Sequence, residues 1–214
     1  MKIPWLLLFL AFLLTPDTGA ARAPVVLVVG DSLSAGYGIA LRDAWPSLLQ
    51  QRLQKQGYPH TVVNASISGD TSAGGRARLP DALKRHRPGI VILELGANDG
   101  LRGLSLGATR TNLDTMIKTA QAAGARVLLA GIHLPPNYGP AYTKKFHAIY
   151  LDLARTHNLA LVPFLLEGVA LNPALMQSDG LHPRAVAQPR ILANVWPKLL
   201  PLIKPSPPAA AHAE

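Results

Sequence analysis

Five short apolar runs, separated by longer segments whose apolar residues fall three and four apart, constrain this chain more than any other feature. The runs are 25–29 (Val-Val-Leu-Val-Val), 60–65, 89–95, 125–132 and 159–162. Strands that are apolar at nearly every position have no solvent face, so they belong in a parallel sheet covered on both sides. Between the runs, segments 44–56, 75–86, 107–123 and 141–157 carry the helical period, and 184–203 closes the series. A βαβαβαβαβα order predicts an α/β chain, a three-layer α/β/α sandwich around five parallel strands. With 214 residues, 49% of them hydrophobic, the chain supplies one sizeable core and is too short for two comfortable domains. The domain is expected over 24–203.

Two terminal segments stand outside that pattern. Lys2, the 12-residue apolar stretch Ile3 to Leu14, and the small residues up to Ala21 follow the order of a secretory signal peptide. Residues 1–20 are therefore expected to be a leader, cut after Ala20 or Ala21, that sends the protein to the periplasm or outside the cell. The apolar stretch is well short of the roughly 20 residues that span a bilayer. At the other end, 204–214 is rich in Pro and Ala without an apolar period and is expected to be disordered. The chain has no cysteine, which excludes disulfides, thiolate metal sites and a lipid on an N-terminal cysteine. Its net charge of +9 is spread thinly, with no basic run longer than Lys144-Lys145, and aromatic residues make up only 6%. That pattern argues against nucleic acid as a partner and leaves room for transient contact with an anionic membrane surface.

The strand order is expected to be the flavodoxin-like 2-1-3-4-5, by analogy with other doubly wound sheets, and ligands of such sheets bind beyond the carboxyl ends of the strands. Three loops leave those ends, 30–42, 66–75 and 96–105, and 177–183 sits just before the last helix. In the first, Gly30-Asp31-Ser32-Leu33-Ser34 follows the first apolar run, so a buried strand delivers Ser32 to the sheet edge. A serine there can be a nucleophile if a base, an orienting acid and oxyanion donors accompany it. Of seven histidines, His60, His86, His147, His157 and His212 fall at element ends, in helices or in the tail, where solvated side chains are expected, and His133 follows a strand. His182 lies in Ser178-Asp179-Gly180-Leu181-His182-Pro183, where a tight turn at Gly180 can bring the Asp179 carboxylate to the imidazole. The same residues also read as a helix-entry turn capped by Asp179 with Pro183 in the first turn. Asn98, in Gly96-Ala97-Asn98-Asp99-Gly100, can donate from its amide, or form an ordinary Asn-Asp-Gly turn. Gly69, in Ser68-Gly69-Asp70-Thr71, can present its N–H to a ligand, or simply turn the chain.

These blocks together resemble the SGNH hydrolases, the GDSL esterase/lipase family, over essentially the whole domain from Val25 to about Leu202. Within that family the chain is most similar to the periplasmic thioesterase I/protease I/lysophospholipase group, through Gly30 to Tyr37, Asn64 to Ser72, Asn98 to Gly103 and Asp179 to Pro183. The resemblance implies Ser32 as nucleophile, His182 as base, Asp179 as its orienting acid, and Gly69 and Asn98 with the Ser32 N–H as the oxyanion hole. It also implies small-molecule acyl esters, acyl thioesters and lysophospholipids as substrates, with no cofactor and no metal. Ser32 does not stand in the α/β-hydrolase pattern Gly-x-Ser-x-Gly, so it belongs to a different kind of turn. Substrate contacts are expected from Leu101, Leu104 and Leu106 after Asn98, and from Tyr138 in the Pro-rich loop 134–142. Two alternatives remain at this point: a carbohydrate O-deacetylase on the same scaffold, and a non-catalytic exported lipid-binding protein.

Overall fold

The computed structural model describes residues 23–203; the expected leader and the expected disordered tail lie outside the described residues. Five strands are present: β1 (Val25–Gly30), β2 (Thr61–Asn64), β3 (Ile90–Glu94), β4 (Arg126–Ala130) and β5 (Ala160–Val162). All neighbours pair in parallel in the order β2-β1-β3-β4-β5, as expected from the sequence. The order reverses at β1, so the loops after β1 and β3 open on the same crevice, where such sheets bind ligands.

The pleat sorts the apolar runs onto two faces. Val26, Val28, Ile90, Ile92 and Leu128 pack with Trp45, Leu49 and Leu53 of helix α2 (Trp45–Lys55) and Ile191, Val195 and Leu199 of helix α7 (Gln188–Ile203). Leu27, Val29, Val91, Leu93 and Val127 face helices α3 (Ser72–His86), α5 (Leu106–Ala122) and α6 (Pro140–Thr156). Because β1 and β3 are central, every one of their residues is buried. Truncating such a side chain, for example Leu27→Ala, is expected to cost about 2–5 kcal/mol.

Local chemistry moved several boundaries. Two of the expected loops contain short helices, α1 (Ser32–Ala35) and α4 (Ala97–Leu101). The first forms because the Asp31 carboxylate accepts the Leu33 N–H at 3.0 Å, capping the turn. Helix α3 begins at Ser72 and not near residue 75, because Thr71 caps it by accepting the Gly74 N–H. The expected helix 184–203 is split into a 3-10 turn, Ala185–Ala187, and α7. Pro189 has no N–H to offer the Ala185 carbonyl, which favours a break between the two segments.

Candidate active site

Ser32 is the first residue of α1, directly beyond β1. Its neighbours are packed against β3. The Glu94 Oε2 accepts the Asp31 N–H at 3.3 Å and the Ser34 hydroxyl at 2.6 Å. A Cβ on Gly30 would stand 2.5 Å from that oxygen, so only glycine fits at the strand end. Burial pushes the Glu94 carboxyl well above the usual carboxylate range, and the nearby Asp31 adds to it. Asp31 is itself fully buried, and burial takes its carboxyl up to about 7 against the opposing hydrogen bond from Leu33.

The turn before α7 meets this serine. His182 Nε2 lies 2.9 Å from Ser32 Oγ, and His182 Nδ1 lies 2.6 Å from Asp179 Oδ2. The other carboxylate oxygen of Asp179 accepts the N–H groups of Leu181 at 2.9 Å and His182 at 3.0 Å. Partial burial opposes ionisation of Asp179, but the hydrogen bonds from the His182 ring and these two N–H groups prevail and bring its carboxyl down to about 2. An ionised Asp179 accepts from Nδ1–H, which leaves Nε2 free to receive the Ser32 proton. Asp179 therefore both forms the turn and orients the ring; it caps no helix, because the next helical segment, Ala185–Ala187, begins after Arg184 and leaves Pro183 outside it. Gln177 secures the loop: its N–H donates to the His182 carbonyl at 2.7 Å, and its side-chain amide donates to Tyr37 O at 2.8 Å and Pro183 O at 3.1 Å. The Tyr37 ring packs against the imidazole with centroids 4.4 Å apart.

Asn98 and Gly69 arrive from β3 and β2. Asn98 Nδ2 donates to Asp70 O at 2.9 Å and to Asp31 Oδ2 at 3.2 Å, which fixes the amide plane between the two loops. Gly69 has φ 79°, and among the described residues no acceptor takes its N–H or that of Ser32. Those two N–H groups and the Asn98 amide are the donors this edge can aim at a developing oxyanion, a stronger acceptor than the neutral Asp70 carbonyl. Three residues brace them. Asp99 accepts the Ser72 N–H at 2.8 Å and Thr109 Oγ1 at 3.2 Å, joining α3 to α5. Arg102 Nη2 holds the Gly69 carbonyl at 2.9 Å. Arg78 donates to Asp70 Oδ2 at 2.8 Å, to Gly30 O at 3.2 Å and to Ala65 O, clamping three segments with one guanidinium.

A profile of the GDSL-like lipase/acylhydrolase family matches residues 28–188. The chain belongs to this family. Esterase TesA of Pseudomonas aeruginosa is 54% identical over 186 residues, 87% of this chain and 92% of that protein. Thioesterase 1/protease 1/lysophospholipase L1 of Escherichia coli is 47% identical over 199 residues, 93% of this chain and 94% of the relative. A crystal structure of TesA superimposes with a TM-score of 0.82 at 54% identity, covering 83% of this chain and 99% of that one. The GDSL resemblance seen in the sequence motifs holds, and the chain is an ester hydrolase.

Beside Ser32 and His182 this GDSL hydrolase has a cavity of about 520 Å³, walled by Leu33, Leu101, Ile132, Leu134, Phe164 and Leu166. Of the four residues expected to touch substrate, only Leu101 lines it. Leu104 points to solvent, Leu106 packs into the core as the first residue of α5, and Tyr138 spends its hydroxyl on the Leu101 carbonyl at 2.9 Å. The walls come mainly from the loops after β4 and β5, whose apolar residues look like strand continuations in the sequence. Three histidines also differ from the expected solvated state. His60 is buried, His157 is 2.7 Å from Asp114 Oδ1, and His147 stacks on His133 with centroids 3.6 Å apart.

Proposed function

We propose that the protein hydrolyses carboxylic acyl esters and acyl thioesters, lysophospholipids among them, through an acyl-enzyme on Ser32. The observation that carries this is the hydrogen-bonded series Ser32, His182, Asp179 at the mouth of an apolar cavity. His182 takes the Ser32 proton as Oγ attacks the carbonyl carbon. The tetrahedral oxyanion is met by the N–H groups of Ser32 and Gly69 and the Asn98 amide. Collapse breaks the bond to the leaving alcohol or thiol, which departs with the proton from His182. Water then gives its proton to His182, attacks the acyl-enzyme, and releases the carboxylic acid and Ser32. No step calls on a cofactor. The names of the relatives, esterase, arylesterase and thioesterase/lysophospholipase, support the substrate class. The charged, apolar and small-residue order of residues 1–20 supports export to the periplasm or beyond.

The test is turnover of a series of p-nitrophenyl and thioester substrates by the wild-type protein and by Ser32→Ala. Wild type is expected to prefer octanoyl over acetyl esters, and Ser32→Ala to lose roughly three to six orders of magnitude in kcat. Near-normal turnover by Ser32→Ala, or no labelling of Ser32 by a fluorophosphonate, overturns the mechanism. A preference for acetyl esters replaces the acyl-chain substrate with acetylated sugars. Asn98→Ala is expected to reduce kcat on the order of 10²- to 10³-fold with little change in KM.

A further inference from the structure

The large apolar side chains left exposed by this fold are gathered at one end. Among the described residues there are eight, and all but Leu151 stand in connections at the carboxyl edge of the sheet, around the candidate active site. Tyr37 and Leu41 follow β1, Ile67 follows β2 and Leu104 follows β3. Leu171, Leu181 and Val186 come after β5. Hydrogen bonds make these connections neighbours. The Arg102–Gly69 bond joins the Leu104 loop to the Ile67 loop. The Gln188 side chain accepts the Trp45 N–H at 3.0 Å, which draws the turn holding Leu41 towards the turn holding Val186. Tyr37 rests on His182, and Leu171 and Leu181 line the cavity. Single exposed apolar residues are ordinary on a protein surface, but their concentration around one opening marks a contact face.

We propose that this ring seats the enzyme on an anionic lipid surface, from which an acyl chain passes directly into the cavity; the inference rests on the acyl-ester reading above. Leu171 and Leu181 of the ring line the cavity, so a protein partner covering the ring would close the active site, whereas a lipid surface would feed it. Arg42, Arg102 and Arg184 share this edge with Asp43, Glu167 and Asp179, so the contact itself is apolar and close to neutral. The net charge of +9 acts at longer range and favours a negatively charged interface over a zwitterionic one. Leu41 and Val186, at 70% and 65% exposure, are the ring members best placed to enter the lipid without lining the cavity.

The experiment is co-sedimentation of the protein with phosphatidylcholine vesicles containing or lacking phosphatidylglycerol, for wild type and Leu41→Ser/Val186→Ser. Wild type is expected to partition onto the anionic vesicles and less onto the neutral ones, and the double variant about tenfold more weakly. Hydrolysis of lysophosphatidylglycerol embedded in those vesicles should fall by a similar factor, while turnover of soluble p-nitrophenyl butyrate is unchanged. Equal binding by variant and wild type, or no preference for anionic vesicles, overturns the proposal. A dimer abolished by the double substitution, with no vesicle binding, assigns the ring to a second copy of the chain instead. Loss of soluble-ester turnover by wild type is a separate result, and it strikes the acyl-ester reading and not the lipid contact.

Discussion

The Asp31 carboxylate holds the Asn98 side chain, with Nδ2 donating to Oδ2 at 3.2 Å, and so links the residue before Ser32 to the amide proposed as an oxyanion donor. Its other oxygen is taken by the Leu33 N–H. Asn in place of Asp can serve only one of these donors, because its second atom is an NH₂ that would face the Asn98 NH₂. Asp31→Asn is therefore expected to lower kcat about 10- to 30-fold with a smaller change in KM, the cost of one misdirected oxyanion donor. Steady-state kinetics on a soluble ester check this, and an unchanged kcat refutes the link.

Glu94 offers a test by pH. Its carboxyl lies above its unfolded value because of burial, so between those two values the folded state holds more protons than the unfolded one. Asp31, raised to about 7, has the same sign. For both groups the stability is greatest below the unfolded pKa and declines as pH rises. Glu94→Gln keeps an acceptor for the Ser34 hydroxyl and the Asp31 N–H while removing the titration. The Tm of Glu94→Gln minus that of wild type is expected to grow between pH 4 and pH 8, as measured by thermal melts. A flat difference would show that Glu94 does not titrate with folding.

Arg78 bridges three segments, and no other residue replaces it. Arg78→Ala leaves the Gly30 and Ala65 carbonyls and the Asp70 carboxylate without that donor, a loss expected to be about 2–4 kcal/mol. Arg78→Lys should recover little, since one ammonium lacks the planar fork that reaches all three. Urea unfolding measures both. Lysine restoring wild-type stability would mean that charge, and not the fork, is what matters.

These three residues show where the sequence stops being legible. The strands could be read because a parallel sheet needs side chains that are apolar on both faces, and β1 and β3 spell that out. Ser32, Asn98, Asp179 and His182 could be read because each sits in a short motif whose chemistry is local. Glu94 meets Ser34 across 60 residues, Arg78 meets Gly30 across 48, and Gln177 meets Tyr37 across 140. Nothing near Arg78 distinguishes it from the other arginines of α3, and Glu94 looks like the polar end of a strand. The cavity wall was missed for another reason. Leu104 and Leu106 flank the start of α5, and only the helix geometry decides that one faces water and the other the core.

Asp179 carries the last prediction, because its two roles can be separated. Asp179→Asn retains an oxygen for the Leu181 and His182 N–H groups, so the turn should survive. Its amide would meet His182 Nδ1 with a donor, which favours the tautomer whose proton sits on Nε2, facing Ser32. That ring cannot accept the serine proton. The expected outcome is a kcat lower by about 10³- to 10⁴-fold with near-normal KM and a modest fall in Tm at pH 7. Asp179→Ala removes the turn acceptor as well and should lower Tm further. Wild-type Asp179, brought down to about 2, contributes stability that is fully present above its ordinary value of 3.8 and is lost as pH falls towards 2. Acid melts of wild type and Asp179→Asn should therefore converge only below about pH 4. If Asp179→Asn instead keeps most of its kcat, His182 does not depend on this carboxylate for its tautomer.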